Sequence, residues 1–250
     1  EKEKENRLYE QRQRTMALKK VVGVNLKLAE LYSSDSVRDP KKAEECQVNG
    51  VELCLKEMER RQKLGIPVGG ASNENDVWLN LTEISAALVE LAQTYHDQRK
   101  MELALPLYLR ALDLVRADEA GSPSCKQVVL LNNIAGAMVE LIEEPRPGMQ
   151  HPELPRDQSL DAAKRWALKT TEVAESINPS DRDESCDESC VAATFNLAKI
   201  VELQGKPDEA VKYYKQARAM AESVGFDEGM KVADEELQKL QRPAAKASGS

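Results

Sequence analysis

The chain has 250 residues, and its composition favours helices over sheets. Ala, Leu, Glu and Lys are abundant, whereas only 2 Trp, 2 Phe and 6 Tyr are present. The formal net charge is -8, so the phosphates of a nucleic acid would be repelled, and we expect no nucleic acid partner. An apolar run of about 18 residues is missing from the sequence, so we expect no membrane span within residues 1–250.

The N-terminal stretch is dense in Glu, Lys and Arg. For residues 1–19 we predict a charged helical extension or linker, solvated ahead of the first repeat helix, and a coiled coil is the alternative. A chain that starts at Glu1 within such a stretch is compatible with a fragment of a longer protein. Residues 242–250 are rich in Ala, Ser and Gly and predict a disordered tail.

From residue 20 onward the apolar residues predict pairs of helices. In the first pair, near 20–64, Leu28, Ala29 and Tyr32 lie at helical spacing, and Asp39-Pro40 supplies the N-cap and first-turn proline of the helix that carries Ala43. The second pair, near 82–118, has a polar turn at 97–100, and we expect Thr82 to cap its first helix. Its two helices carry apolar or small residues at Leu88, Leu91, Ala92, Tyr95, Ala104, Tyr108 and Ala111.

The third pair, near 125–178, is interrupted by a proline-rich insertion at 144–158. Its second helix is predicted to begin near Ala162 and to place Trp166 at an aromatic position, after a first helix with Leu131, Ile134, Ala135 and Met138 inward.

The fourth pair, near 190–225, turns at 205–208, and Ser185 with Glu188 fits a capping box for its first helix. Its inward positions are Leu197, Ala198, Val201, Ala210, Tyr214 and Ala217. Residues 227–241 predict an amphipathic helix that covers the end of the stack, with Met230, Ala233, Leu237 and Leu240 inward.

These spacings resemble the tetratricopeptide repeat, in which a large residue, a large–small pair and an aromatic residue are followed by Ala, an aromatic residue and Ala. The small position of the first helix is alanine in all four pairs, at 29, 92, 135 and 198. The resemblance implies an all-α fold, a right-handed superhelical solenoid of about four irregular helix pairs with a C-terminal capping helix. Residues 20–241 would form this single repeat domain.

Residues suited to catalysis or metal binding are scarce. Only 2 His are present, His96 and His151, and no glycine-rich phosphate-binding motif occurs, so we predict a non-enzymatic protein without catalytic residues, cofactor or metal. Cys186 and Cys190 lie beside a run of acidic residues, a pattern compatible with a metal or redox pair. We favour two thiols stacked on one helix face, although a disulfide remains open in an oxidising compartment.

In a stack of such pairs the first helices line a concave surface that holds other polypeptides. The positions one turn from the buried face predict this lining: Leu26, Glu30, Val89, Gln93, His96, Asn132, Gly136, Val139, Phe195, Lys199 and Glu202. A clamp for a C-terminal carboxylate is disfavoured. Asn133 fits such a clamp, but its basic and amide positions hold Val89, Gln93, Ala192 and Asn196.

Longer strings resemble a more specific family: Lys27-Leu-Ala-Glu-Leu-Tyr32, Glu102-Leu-Ala-Leu-Pro-Leu-Tyr108, Cys125-Lys-Gln-Val-Val-Leu-Leu-Asn-Asn133 and Cys190-Val-Ala-Ala-Thr-Phe-Asn-Leu197. They are similar to the fungal mitochondrial inner-membrane tetratricopeptide adaptors of the i-AAA protease. This resemblance implies an N-terminal membrane anchor that is absent from this chain and a repeat domain that faces the intermembrane space.

The implied function is recruitment of unfolded or misassembled membrane proteins to the i-AAA protease, together with a second adaptor subunit. The alternative function is a structural scaffold or cochaperone-type platform that holds one folded partner in a stable complex.

Overall fold

The computed structural model describes residues 2–66, 68, 78–144 and 155–241, and the regular elements within these ranges are all helical. The all-α prediction is therefore confirmed. The α-helices in chain order are α1 (Lys2–Ser33), α2 (Pro40–Lys63), α3 (Leu81–Asp97), α4 (Met101–Asp118), α5 (Cys125–Glu143), α6 (Arg156–Glu175), α7 (Glu184–Leu203), α8 (Pro207–Val224) and α9 (Asp227–Gln241). A short 3-10 helix, Pro179–Asp181, precedes α7.

Packing divides the chain into two compact units, residues 1–121 and residues 122–250. In unit 1, α1 pairs with α2, α3 pairs with α4, and α2 packs on α3. In unit 2, α5 pairs with α6, α7 packs on both of them and on α8, and α9 packs mainly on α8. The prediction of one repeat domain at 20–241 remains a prediction.

The predicted small residues of the first helices form helix–helix contacts, whereas Leu28, the large signature residue before Ala29, is exposed. Ala29, Ala92, Ala135 and Ala198 are all buried, which allows close approach of neighbouring backbones. In α4 and α8 the buried sets have the same order, alanine, tyrosine and alanine. They are Ala104, Tyr108 and Ala111 in α4 and Ala210, Tyr214 and Ala217 in α8.

α6 begins at Arg156 and not near Ala162, and its predicted register is wrong by one residue. Ala163, Ala167 and Thr170 are fully buried at the spacing of the signature, so Ala167 and not Trp166 occupies the aromatic position. Trp166 packs partly buried at the side of the same core. This core, between α5, α6 and α7, consists of small and aliphatic residues.

Two helix caps also differ from the prediction. Asn80, not Thr82, caps α3: its side chain accepts from the backbone N–H of Glu83, and the Glu83 carboxylate accepts from the N–H of Asn80. Thr82 instead donates to Asp118 at 2.6 Å. For α7 the cap is Asp183, which accepts from the N–H of Cys186 at 2.9 Å, so the capping box of Ser185 and Glu188 is not formed. The cap predicted at Asp39 is confirmed.

α1 continues through the charged stretch without a break at residue 19. At the end of α2, the buried Glu57 carboxylate accepts from Arg60 at 2.6 and 2.7 Å and from Arg61 at 3.2 Å. The Arg61 guanidinium also lies 5.7 Å from the centre of the Trp78 ring. Burial alone would raise the pKa of Glu57, but the two guanidiniums outweigh it and lower that pKa.

α5 is long and apolar enough to cross a membrane by length and composition, with a mean hydropathy of 1.3 over its best 18-residue stretch. It is the single helix with this property in the part of the chain that the structure describes. α5 packs against α6 and α7, and its buried face includes Leu131, Ile134 and Ala135. A packed core helix can have this length and hydropathy, so these two properties do not identify α5 as a membrane span.

Candidate polypeptide-binding site

The five predicted groove residues of unit 1 differ in how far they are free to bind. Leu26 is half-buried and packs towards Gly50 of α2, where an added Cβ would lie 3.4 Å from Leu26 Cδ2. Glu30 is exposed and raises the pKa of Glu90, in addition to the larger effect of burial. Val89 is half-buried. Leu26 is therefore mainly a contact between α1 and α2.

Gln93 and His96 lie on the last turns of α3. The Gln93 amide is exposed but already engaged, because its Oε1 accepts from the Tyr108 hydroxyl at 3.2 Å and its Nε2 donates to Asp97 at 2.8 Å. His96 is half-buried. In this unit the side chain of the signature tyrosine in α4 thus reaches a polar residue of the first helix.

In unit 2 an amide pair links α5 to α7. The Nδ2 of Asn196 donates to the Oδ1 of Asn132 at 3.1 Å, and Gly136, one turn along α5, leaves room for the same amide, with an added Cβ 3.6 Å from Asn196 Nδ2. Val139 does not belong to this surface. It is buried in the core with Leu160 and Ala163, so the structure corrects its assignment to the groove.

Phe195 and Glu202 of α7 are both fixed by Tyr214 of α8. The rings of Phe195 and Tyr214 meet edge to face, with 5.1 Å between centres and 63° between planes. The Tyr214 hydroxyl donates to Glu202 Oε2 at 2.7 Å. Burial, followed by the Glu202 carboxylate, raises the pKa of Tyr214, so the hydroxyl is a donor at neutral pH.

Lys199 is the one cation among the predicted groove residues, and it forms an ion pair within unit 2. Its Nζ lies 3.1 Å from Glu143 of α5. Burial works against the ammonium charge, but Glu143, Glu202 and Glu236 raise the pKa of Lys199 above its ordinary value. The side chain therefore stays charged and engaged.

Next to Phe195 a mostly apolar pocket of about 230 Å³ opens at the N-terminal half of α7. α8 and α9 complete its walls. The pocket is lined by Val191, Ala192, Phe195, Asn196, Ala217, Phe226, Glu228, Gly229 and Val232. The Asn132–Asn196 amide pair stands at its side, so apolar surface and hydrogen-bonding groups lie together.

The position of Phe226 follows from the end of α8. Gly225 adopts a left-handed conformation, with φ of 75°, and the N–H of Phe226 donates to Ala221 at 2.9 Å, as in a Schellman motif. The Phe226 ring then lies over Gly229, where an added Cβ would come within 2.5 Å of the ring. Gly229 is therefore required for the ring to take this place in the pocket wall.

The sequence prediction included Phe195 but missed the contribution of α9 to the pocket. A local signal was available, because a glycine followed by an apolar residue at a helix end is typical of a Schellman motif. Burial of Val139 had no comparable signal. It depends on the approach of α6, which residues 144–155 separate from α5 in sequence.

The cysteines of unit 2 lie close together but do not resemble a reactive site. Cys125 donates to the carbonyl of Asp181 at 3.9 Å, and Arg182 lies 3.6 Å from the sulfur of Cys190. Burial raises the pKa of Cys186 to about 12 and also raises that of Cys190, so both are thiols at neutral pH. In the described ranges no group of three or more His, Cys, Asp or Glu is suited to hold a metal ion.

Comparison with known proteins supports the helical pairs. The tetratricopeptide repeat family matches residues 87–120 and 193–228. A TPR repeat-containing protein of Schizosaccharomyces pombe is 29% identical over 153 residues, which cover 61% of this chain and 40% of that protein. The chain thus matches less than half the length of this relative.

Among solved structures, the crystal structure of BtubC (BKLC) from P. vanneervenii is similar in fold, with a TM-score of 0.53 and 16% identity over 82% of this chain and 64% of that chain. The two segments matched by the family cover the C-terminal part of α3 with α4 and the C-terminal part of α7 with α8, where the structure buries the signature residues as the repeat requires. These two segments of the chain are therefore tetratricopeptide repeats, and such repeats mediate protein–protein interactions.

Proposed function

We propose that this chain is a non-enzymatic adaptor that holds an extended segment of another polypeptide on the α5–α7 surface of unit 2. The observation that carries the proposal is the apolar pocket beside Phe195, with the Asn132–Asn196 amide pair next to it. An apolar side chain of the bound segment fills the pocket. The amides bond to the backbone of the same segment, a division of roles common in peptide recognition.

The chemistry of the surface favours a neutral, apolar segment over a charged terminus. Ala192 and Asn196, which hold the positions of basic residues in a carboxylate clamp, line the pocket instead. The nearby Lys199 is already paired with Glu143. A segment exposed by unfolding, with apolar side chains and free backbone groups, matches this surface better than a C-terminal carboxylate.

A second part of the proposal names the bound polypeptides and the cellular compartment. The adaptor brings unfolded or misassembled membrane proteins to the i-AAA protease, together with a second adaptor subunit, at the mitochondrial inner membrane with its repeats in the intermembrane space. Its support is the similarity of the strings around Tyr32, Tyr108, Asn133 and Leu197 to adaptors of that protease. A membrane anchor N-terminal to this chain is part of the proposal.

The proposal that this pocket holds a polypeptide segment is tested by filling the pocket. Ala192→Phe occupies the space without removing a core residue, and Ala219→Phe places the same side chain on an exposed position of α8 outside the pocket. The probe is a fluorescein-labelled unstructured peptide with three spaced leucines, and a second peptide replaces the leucines with serine. In anisotropy titrations we expect the leucine peptide to bind, and Ala192→Phe to weaken it by about tenfold, worth about 1.4 kcal/mol.

Binding that is equal for both peptides, or equal in the two variants, would contradict the pocket as the binding site. A chain that ignores unfolded polypeptide but copurifies with one folded partner would support the scaffold alternative.

The proposal that the chain delivers clients to the i-AAA protease is tested with the purified protease, ATP and an unfolded membrane protein. We expect the wild-type chain with its anchor restored to accelerate degradation, and Ala192→Phe to remove the acceleration. An unchanged rate would overturn the assignment to this protease while leaving the peptide-binding result intact.

A further inference from the structure

α1 carries an exposed apolar stripe that its own unit leaves uncovered. Val21, Val24, Leu28 and Leu31 are 47%, 56%, 36% and 51% exposed. Their spacings of three and four residues place them along one line of the helix, about 15 Å long at a rise of about 1.5 Å per residue. The opposite face of α1, with Val22 and Ala29, is buried.

The corresponding positions of α7 show what such a stripe contacts in this fold. When the small alanines Ala29 and Ala198 are aligned, the stripe corresponds to Cys190, Ala193, Leu197 and Ile200. All four of these residues are buried, at 5% exposure or less. Leu197 and Ile200 pack in one core with residues of α5 and α6. The same face of a first helix is therefore a helix-packing surface in α7 and is open in α1.

The charges beside the stripe indicate the kind of helix that fits. Lys20 and Lys27 are exposed along one edge, where the flanking positions of a coiled-coil seam lie, and neither has an ion-pair partner among the described residues. The other edge carries the uncharged Asn25 and Tyr32. A helix with acidic residues beside its apolar stripe would therefore gain opposite-charge pairs on docking.

A second copy of the chain fits less well. Two antiparallel copies would place Lys20 and Lys27 opposite one another, which is repulsive, and two parallel copies would place them opposite the neutral Asn25 and Tyr32. A lipid surface also fits less well. Helices that lie in a membrane interface bury a broad face with large apolar or aromatic residues, whereas this stripe is narrow and half of it is valine.

We infer that the Val21–Leu31 stripe of α1 docks an amphipathic helix of another protein, with acidic residues at the positions that face Lys20 and Lys27. This surface lies in unit 1 and does not depend on the pocket in unit 2. It provides the chain with a second protein-binding surface, for a folded helix instead of an extended segment.

The test uses the full chain and a synthetic peptide of three heptads. Each heptad has leucine at the seam positions a and d and glutamate at the flanking positions e and g. A matched peptide has lysine at the flanking positions. In anisotropy titrations we expect the acidic peptide to bind and the basic one to bind about tenfold more weakly or not at all. The double variant Lys20→Glu, Lys27→Glu should reverse this preference.

Leu28→Glu should abolish binding of the acidic peptide. Leu168→Glu, at an exposed leucine of α6, is the matched control and should leave the binding unchanged. Thermal unfolding of both variants by circular dichroism checks that each is folded, and the reversal of preference by the lysine variant provides a readout that a stability change cannot mimic.

Equal binding of the two peptides, or undiminished binding by Leu28→Glu, would overturn the inference. It would also be overturned if sedimentation shows a dimer that Leu28→Glu dissociates, which would assign the stripe to a second copy. Binding to anionic phospholipid vesicles that Leu28→Glu removes would assign it to a membrane.

Discussion

The helix pairs α3–α4 and α7–α8 carry tyrosine at the aromatic signature position, whereas α1–α2 and α5–α6 carry Gln47 and Ala167 there. In the first two pairs the tyrosine is fully buried, and its hydroxyl reaches back to a polar residue of the first helix, Gln93 or Glu202. In the other two pairs smaller or polar side chains fill the space. The same helix-pair fold therefore has a buried tyrosine in two pairs and smaller or polar side chains in the other two.

The difference has a functional consequence in unit 2. Tyr214 holds Phe195 by an edge-to-face contact and Glu202 by a hydrogen bond, so the residues beside the pocket depend on a core residue of α8. The α5–α6 pair has no such side chain, and its contribution to the surface comes from the Asn132 amide. The two helix pairs with tyrosine should therefore lose the most unfolding free energy when the residue at the aromatic position is changed.

Tyr214→Ala should have the largest effect. Removing a fully buried aromatic side chain leaves a cavity, and we expect unit 2 to lose about 4 kcal/mol of unfolding free energy. Tyr214→Phe removes only the hydroxyl beside the half-buried Glu202 and should cost about 1 kcal/mol. Urea unfolding followed by Trp166 fluorescence, in a Trp78→Phe background, reports on unit 2. Equal losses for the two variants would show that the hydroxyl, not the ring, stabilises the pair.

Glu57→Gln tests the polar interior of the α1–α2 pair. The change removes the buried Glu57 carboxylate that accepts from Arg60 and from the buried Arg61, and we expect a loss of about 3 kcal/mol in unit 1 near neutral pH. The folded-state pKa of Glu57 lies below its ordinary value of 4.5, so the stabilisation is fully present above that pH. It is lost as the pH falls through the folded-state pKa.

The difference between wild type and Glu57→Gln should therefore shrink below about pH 4.5. Unfolding followed by Trp78 fluorescence, in a Trp166→Phe background, measures it. Glu59→Gln is the control, because the partner of Glu59 within the described part of the chain is the exposed Lys63. A difference that is constant with pH would show that the carboxylate charge does not stabilise the site.

Ala167→Tyr places the consensus aromatic residue into the α5–α6 pair, and we expect it to destabilise unit 2. Ala167 is fully buried in a core already filled by Leu160, Leu197 and Ile200, so the ring would overpack it at a cost of about 2 kcal/mol. Trp166 adjoins the site, so hydrogen exchange of α5 and α6 is the better measurement. Unchanged or slower exchange would show that the core can expand.

Part of this fold is specified by local sequence patterns, and part by packing between distant segments. The inward alanines at 29, 92, 135 and 198 and the turns after α3 and α7 follow from spacing and local turn chemistry, and the structure confirms them. The sequence spacing predicts Trp166 at the aromatic position, whereas the register of α6 depends on its packing against α5 and α7. The same long-range packing buries Val139, which no local pattern specifies.

Gly50→Ala should have the smallest effect, and of opposite sign. Gly50 occupies the position of Ala111 and Ala217 in the other pairs, in the interior of α2, where glycine costs up to about 1 kcal/mol relative to alanine. The added methyl group would meet Leu26 at 3.4 Å, an ordinary contact with the end of a side chain that can adjust. We therefore expect unit 1 to gain somewhat less than about 1 kcal/mol.

Gly23→Ala in α1 is the matched control, because an added Cβ there meets nothing within 4 Å and reports the helix preference alone. Both variants are measured by urea unfolding with Trp78 fluorescence. A loss of stability in Gly50→Ala, beside a gain in Gly23→Ala, would show that α1 and α2 need the closer approach that only glycine allows. The α1–α2 pair would then differ from the tyrosine pairs in helix spacing as well as in the residues that fill its interior.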